Sequence, residues 1–540
     1  ARLTAIGGAS LAIMLSPVTA YPAEERAQTA GFQLEEATIA DITAAFDSGR
    51  LTCAQLVRGY LDRIAAYDQV GPAIQSIITV NPQAMATAAQ LDAERRATGP
   101  RSRLHCIPVL LKDNIDTFDM PTTNGSVILK DAVPSEDAHI TRVLREAGAL
   151  ILGKATMGEF AGVPYTTLHG QPLNPYHLER TTSGSSSGSA SATAANFTTL
   201  AVGTDTSTSV RGPAAVNGVV GLRPTTGLIS RNGIAPKNLN FDTAGPIART
   251  VTDTAILLNF LAGRDPGDPA NLSGDLGNNF PSNGVDYTQF LKTGSLKGAR
   301  IGVLREYFGG DPEVDALAEA AIARMKELGA DIVDPVVYDS SILDGVRNLA
   351  DYRFRADFEA YLQRFGPEVP KTVEEFVRIY ETDVAASPFP VGDSVMDLLK
   401  RSLVTSAEMP EYQNLIHNTL PADTAQKLAI FGKYNVDALV FPYESAFAAP
   451  ISNPVRDVQD PNYVVSRRPQ PATLAGYSSI GFPGIVVPMG FGTQGLPMAI
   501  SFMARPWDEG KLLGYAYDYE QASKMRRPSP LLPPLAPSAR

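Results

Sequence analysis

From Thr38 onward, apolar residues recur at helical spacing: Ile39, Ile42 and Phe46, then Leu51, Leu56, Leu61 and Ile64, with Asp41 and Thr52 as candidate caps. The unbroken apolar run Ile107–Leu111 follows a polar stretch and predicts a buried strand. His139–Gly148 predicts a helix closed by its terminal glycine, and Ala149–Gly153 the next strand. The same rhythm returns at Ala299–Leu304, Val314–Gly329 and Ile332–Val337, and again at Ala438–Phe441. The chain closes with strands at Ile485–Pro488 and Met498–Met503 and a helix through Leu512, Tyr515 and Tyr519. Alternation of this kind predicts an α/β fold with a mostly parallel or mixed sheet, buried on both faces.

Between these elements the pattern changes twice. Residues from about 265 to 295 are rich in Gly, Asp, Asn and Pro and read as a surface loop; those from about 340 to 430 are more helical and polar and read as a cap inserted over one edge of the core. The tail from Arg526 is proline-rich and reads as extended. At the start, Ile6–Ala20 is small and apolar, follows Arg2 and ends in Val18-x-Ala20, so residues 1–30 read as a signal peptide, with an apolar N-terminal arm as the alternative. Residues 31–540 then form one domain carrying the cap, exported if the leading segment is a signal peptide and cytoplasmic otherwise. No other stretch reaches about 18 apolar residues, which speaks against stable membrane insertion.

Composition narrows the function classes. Of 540 residues, 46 are Lys or Arg and 57 are Asp or Glu, a net charge of −11 that argues against nucleic acid as a partner. The five histidines show no H-E-x-x-H spacing and no C-x-x-C occurs, so a zinc site of the usual kinds is not expected, and no phosphate-binding loop is present. Two cysteines, Cys53 and Cys106, make no framework, and whether they pair is left open.

Three segments carry candidate chemistry. Thr181–Thr193, TTSGSSSGSASAT, could be a flexible linker, but it runs straight into apolar, strand-like sequence. Its Gly184–Gly188 also matches G-x-S-x-G, which would make Ser186 the nucleophile of an α/β-hydrolase esterase; that elbow needs a preceding strand and a later histidine, and His177–Ser183 is polar while only His417 lies downstream. Lys112 ends the apolar run at Ile107–Leu111. A lysine so placed is either paired with a carboxylate, Asp113 or Asp116, or neutral and able to act as a base toward a serine. Gly203–Gly212, GTDTSTSVRG, is a turn of small residues able to aim several backbone N–H groups at one point, with Ser209 at its end.

Together these segments resemble the amidase signature family of serine hydrolases. Ser183–Ala190 is similar to that family's GGSSGGSA pattern, Gly203–Arg211 to GTDxGGSxR, and Leu111–Asp116 to the stretch with its lysine. Supporting matches are REAGALILGK at Arg145–Lys154, Asn174-Pro175, GLRPTTGLIS at Gly221–Ser230, DTAGPIARTVTD at Asp242–Asp253 and GFPGIVVPMG at Gly481–Gly490. The GSSSGSA-type middle segment resembles most the exported bacterial peptide-amidase branch.

The resemblance implies a three-layer α/β/α sandwich with a mixed central sheet, no cofactor or metal, and hydrolysis of a small-molecule or peptide amide through an acyl-enzyme. Ser209 would attack, Ser185 on a cis peptide bond would relay protons, Lys112 would be the base, and the backbone N–H groups of Thr206, Ser207, Thr208 and Ser209 would hold the oxyanion. Two departures stand out. Ser207-Thr208 replaces the family's Gly-Gly, a strained choice if either position needs positive φ. Cys106 stands where the family has Gly, from which only a packing change is expected. An inactive binding protein on the same scaffold is the alternative from another class.

Overall fold

A computed structural model describes residues 32–168, 170–273, 284–338, 346, 349–451 and 481–535. The N-terminal apolar segment and residues 274–283 of the Gly/Asp-rich stretch therefore lie outside the described residues. Thirteen strands are described, in chain order β1 (Ile77–Val80), β2 (Pro108–Lys112), β3 (Leu150–Ala155), β4 (Leu173–Asn174), β5 (His177–Thr181), β6 (Leu200–Asp205), β7 (Val220–Arg223), β8 (Thr243–Ala248), β9 (Arg300–Leu304), β10 (Asp331–Val336), β11 (Ala438–Pro442), β12 (Gly484–Phe491) and β13 (Pro497–Met503). Eleven form one sheet in the order β1-β3-β2-β6-β8-β7-β12-β13-β11-β9-β10, and β4 and β5 form a separate ribbon.

The sheet is mixed, as expected for this fold class. Pairing is parallel across β3-β2-β6 and across β11-β9-β10, and antiparallel through the middle. Strands β2, β3, β6, β7, β8, β11 and β13 are buried at every position, which alternating side chains allow only if helices cover both faces. Because β2 and β6 run parallel side by side, Lys112 and the turn after Asp205 emerge at the same edge.

The first helices, Ile39–Asp47 and Cys53–Tyr67, each open with a capping box. Thr52 caps as expected, whereas Asp41 is the third helical residue and the cap is Thr38, whose side chain accepts from the Asp41 N–H. Cys53, at the start of the second helix, forms a disulfide with Cys106, their Cα atoms 5.5 Å apart. This corrects the packing-only expectation for Cys106. Its φ of 69° lies in the left-handed region, which accounts for a glycine being suited to the position.

The Ser/Gly/Ala segment is not a linker. Ser187–Ala194 is a helix buried at every residue, and small side chains are required there: a Cβ on Gly188 would stand 2.1 Å from Ser76 O and 2.5 Å from Thr156 N. The preceding polar stretch is a strand after all, since β5 pairs with β4 outside the main sheet.

Between β10 and β11 the chain is helical, with helices at Leu349–Leu362, Val373–Thr382, Asp393–Ser402 and Leu420–Lys433. The first three share a hydrophobic cluster of their own, into which Phe160 projects from the body. Phe160 meets Phe354, Phe358, Phe376 and Tyr380 edge-on. Two buried body carboxyls bind the same helical region: Glu159 accepts from Tyr380 and Asp116 accepts from Tyr361 at 2.6 Å and from Arg364 just beyond that helix at 2.7 Å. No helix among the described residues is long and apolar enough to cross a membrane.

Candidate active site

Lys112, the last residue of β2, is fully buried. Its Nζ donates to Ser185 Oγ at 2.7 Å, to Thr204 Oγ1 at 2.8 Å and to the Thr204 carbonyl at 3.2 Å. Among the described residues no carboxylate stands in ion-pair contact with it. Asp113 instead pairs with Lys154, and Asp116 with Arg364, so the ion-pair reading of Lys112 is overturned. Burial, opposed only at a distance by Asp205 and Asp242, pulls its ammonium down from the ordinary lysine range to about 7. A neutral amine has a lone pair, and the Ser185 hydroxyl can reverse its bond and donate to it.

Ser185 follows a cis Gly184-Ser185 peptide bond and is fully buried. The next residue ties the segment to the nucleophile turn: the Ser186 N–H donates to the Ser209 carbonyl at 3.1 Å. Ser186 itself is a poor nucleophile candidate. Its hydroxyl donates to the Thr204 carbonyl at 3.0 Å and accepts from the Thr204 N–H at 3.2 Å, while His417 lies exposed and bonded to Gln413.

The turn Thr206–Ser209 leaves β6 beside this group. Thr206, Ser207 and Thr208 reach solvent and Ser209 is 6% exposed, so an incoming molecule meets these residues first. No described residue accepts a hydrogen bond from the backbone N–H of any of the four. None of them has positive φ, so the Ser207-Thr208 departure carries no left-handed strain. The side chains anchor the turn from outside: Thr206 Oγ1 donates to Asp242 at 2.6 Å, and Thr208 Oγ1 bonds the Tyr443 hydroxyl at 2.7 Å.

Beneath the turn lies an ionic clamp that sequence reasoning left without a role. Asp205 pairs with Arg211 at 3.2 Å and with Arg223 at 2.9 Å, and accepts from the Val210 N–H at 3.1 Å. Burial alone would raise its carboxyl, but the two guanidiniums overcome burial and hold it at about 2. Arg211 also donates to the Ser207 carbonyl at 2.8 Å, pinning the turn from below. Three charged residues within matched segments were the available signal. Thr204 and Asn114 were missed as well; Asn114 Nδ2 donates to Thr204 Oγ1 at 3.1 Å and so orients a partner of Lys112.

Of the three side chains singled out from sequence, Lys112 and Ser185 are thus in direct contact, and Ser209 stands next to them through the Ser186 backbone. The group combines a desolvated amine, a hydroxyl beside it, and a turn of unengaged N–H donors. Among the described residues, no group of three or more His, Cys, Asp and Glu is arranged to hold a metal.

The family model described as Amidase matches residues 55–513. A probable amidase of Arabidopsis thaliana is 33% identical over 511 residues, covering 92% of each chain. Among solved structures, the peptide amidase of Stenotrophomonas maltophilia superposes with a TM-score of 0.81 at 34% identity, covering 92% of this chain and 98% of that one. An amidase family protein from Bacillus anthracis superposes with a TM-score of 0.82 at 31% identity, covering 95% of each chain. Fold, site and relatives together define an enzyme that hydrolyses amide C–N bonds. The chain belongs to the amidase family.

Proposed function

We propose that this enzyme is an exported carboxamide hydrolase, acting on peptide C-terminal amides or small amides of similar shape, with Ser209 as nucleophile. Lys112, in its neutral form, takes a proton through Ser185 as Ser209 Oγ attacks the carbonyl, and the same relay returns it to the leaving amine. The N–H groups of Thr206, Ser207, Thr208 and Ser209 stabilise the oxyanion, and the Asp205–Arg211–Arg223 clamp keeps that turn in place. The observation that carries this reading is that the buried Lys112 amine is bonded to two hydroxyls and a carbonyl, with no carboxylate in ion-pair contact among the described residues.

The peptide-amide preference rests on likeness to the peptide amidase of Stenotrophomonas maltophilia. Export is supported by the apolar leading segment and by the Cys53–Cys106 disulfide, a bond that persists in oxidising compartments. The helices between residues 349 and 433 act as a cap on the body, held by the Glu159–Tyr380 and Asp116–Tyr361 contacts.

The test is peptide mapping by mass spectrometry after reaction with a fluorophosphonate serine probe. A single adduct on Ser209 is expected, with Ser209→Ala abolishing both labelling and amide hydrolysis and Ser186→Ala having a much milder effect. An adduct on Ser186 would move the chemistry to an esterase elbow, and folded protein that takes no adduct would favour a binding function.

A further inference from the structure

Glu444 follows Tyr443 immediately after β11, and Tyr443 holds the residue before Ser209 through Thr208. Its position is fixed by what surrounds Gly212, the second residue of the helix Arg211–Val216. A Cβ added there would stand 2.8 Å from Thr208 Oγ1, 3.1 Å from Ser183 Oγ and 3.6 Å from Glu444 Oε1. The glutamate carboxyl thus shares one small space with side chains from the turn that ends in Ser209 and the segment that leads to Ser185. Glu444, Ser183 and Thr208 are all half-buried, at the edge of the catalytic group rather than under it.

What sets Glu444 apart is that no described residue answers its charge. Asp205 has two arginines, Asp242 accepts from Thr206 and from the N–H groups of Lys237 and Asn238, and Asp113 has Lys154. Glu444 has no hydrogen-bond donor, ammonium or guanidinium partner among the described residues. Burial pushes its carboxyl up to about 7. Its titratable neighbours among the described residues add no compensating charge: Tyr443 is itself held neutral by burial, and the Arg211 guanidinium is taken by Asp205. A half-buried carboxylate beside the nucleophile turn, with no partner among the described residues, keeps its hydrogen-bonding capacity open to an incoming cation.

We infer that Glu444 is a specificity residue which receives a positively charged group of the amide substrate, an ammonium or guanidinium near the scissile carbonyl. A cation gains more from this carboxylate than a neutral donor does, because a charge-assisted bond in a partly dehydrated site is roughly twice as strong. The net charge of −11 draws cationic molecules toward the protein in the same sense.

This inference rests on the carboxamide reading above, and one experiment separates the two. Ammonia release is measured for matched amides that differ by one charge at pH 8: N-acetyl-lysinamide against N-acetyl-norleucinamide, and N-acetyl-argininamide against N-acetyl-citrullinamide. At pH 8 the wild-type enzyme is expected to favour the cationic member of at least one pair in kcat/KM. Glu444→Gln is expected to cut that ratio by about tenfold or more, mainly through KM, and Glu444→Asp, which keeps the charge, to retain most of it. In the wild type the ratio should fade as pH drops below about 7, where Glu444 gains a proton. Titration of Lys112 affects both members alike and cancels in the ratio. A ratio unchanged by Glu444→Gln in protein with a wild-type melting curve would overturn the inference and leave the carboxamide reading standing. Failure of the wild type to hydrolyse any of the four amides would overturn both.

Discussion

Lys112 and Lys154 sit on adjacent parallel strands, β2 and β3, one residue apart in register, and both are wholly buried. They differ in what they touch. Lys154 faces the Asp113 carboxylate at 3.3 Å, with Thr122 Oγ1 at 2.8 Å and the Pro121 carbonyl at 3.1 Å. Lys112 faces hydroxyls and a carbonyl. Burial pushes both amines down, but only for Lys154 does an adjacent carboxylate pull back. At the same depth in the same sheet, a charged neighbour makes one lysine a structural strut, and the lack of one leaves the other able to exchange a proton near neutral pH.

The comparison breaks most sharply when each lysine is removed. Lys112→Ala should reduce kcat/KM for a carboxamide by about 10³-fold or more, while the melting temperature holds because no carboxylate loses its partner. Lys154→Met should do the reverse. It strands Asp113 as an unpaired buried carboxyl and should cost about 3–5 kcal/mol in urea unfolding, with Asp113→Asn in the same protein recovering part of the loss.

Exchanging the environments is subtler. Lys112 works as the neutral amine, so wild-type kcat/KM should rise with pH through about 7 and fall away below it. Thr204→Asp gives Lys112 the kind of partner Lys154 has, favours the ammonium, and should move that rising limb upward by about 1–3 pH units. A limb that stays in place would mean that Lys112 is not the titrating base. The smallest effect is expected from Asn114→Ala, which only loosens Thr204 and should shift the limb by less than about one unit.

Much of this contrast was legible before the structure. The apolar run before Lys112 announced a buried amine and the turn of small residues announced Ser209, whereas Ser185 came only with the family resemblance. Strand order was not legible, because nothing local specifies that β2 lies between β3 and β6. The choice of partner for Asp113 also escaped, though strand alternation hinted at it: successive side chains point to opposite faces, so Lys112 and the residue after it diverge in space. The Asp205–Arg211–Arg223 clamp joins residues up to 18 positions apart and depends on β6 and β7 converging around β8. Glu444 carries no local motif; what distinguishes it is the absence of a partner among the described residues, which only the folded neighbourhood reveals.

The Cys53–Cys106 bond also changes what a cut in the backbone means. It closes residues 53 to 106 into a covalent ring that contains β1 and the helix Ala84–Thr98 and ends six residues before Lys112. The exposed turn at Gln69–Gly71 lies inside that ring. A protease that nicks it leaves two pieces tethered, with the N-terminal helices still moored beside the strand that ends in Lys112. On a denaturing gel such a molecule should run as one chain until reductant is added, and only then separate into two.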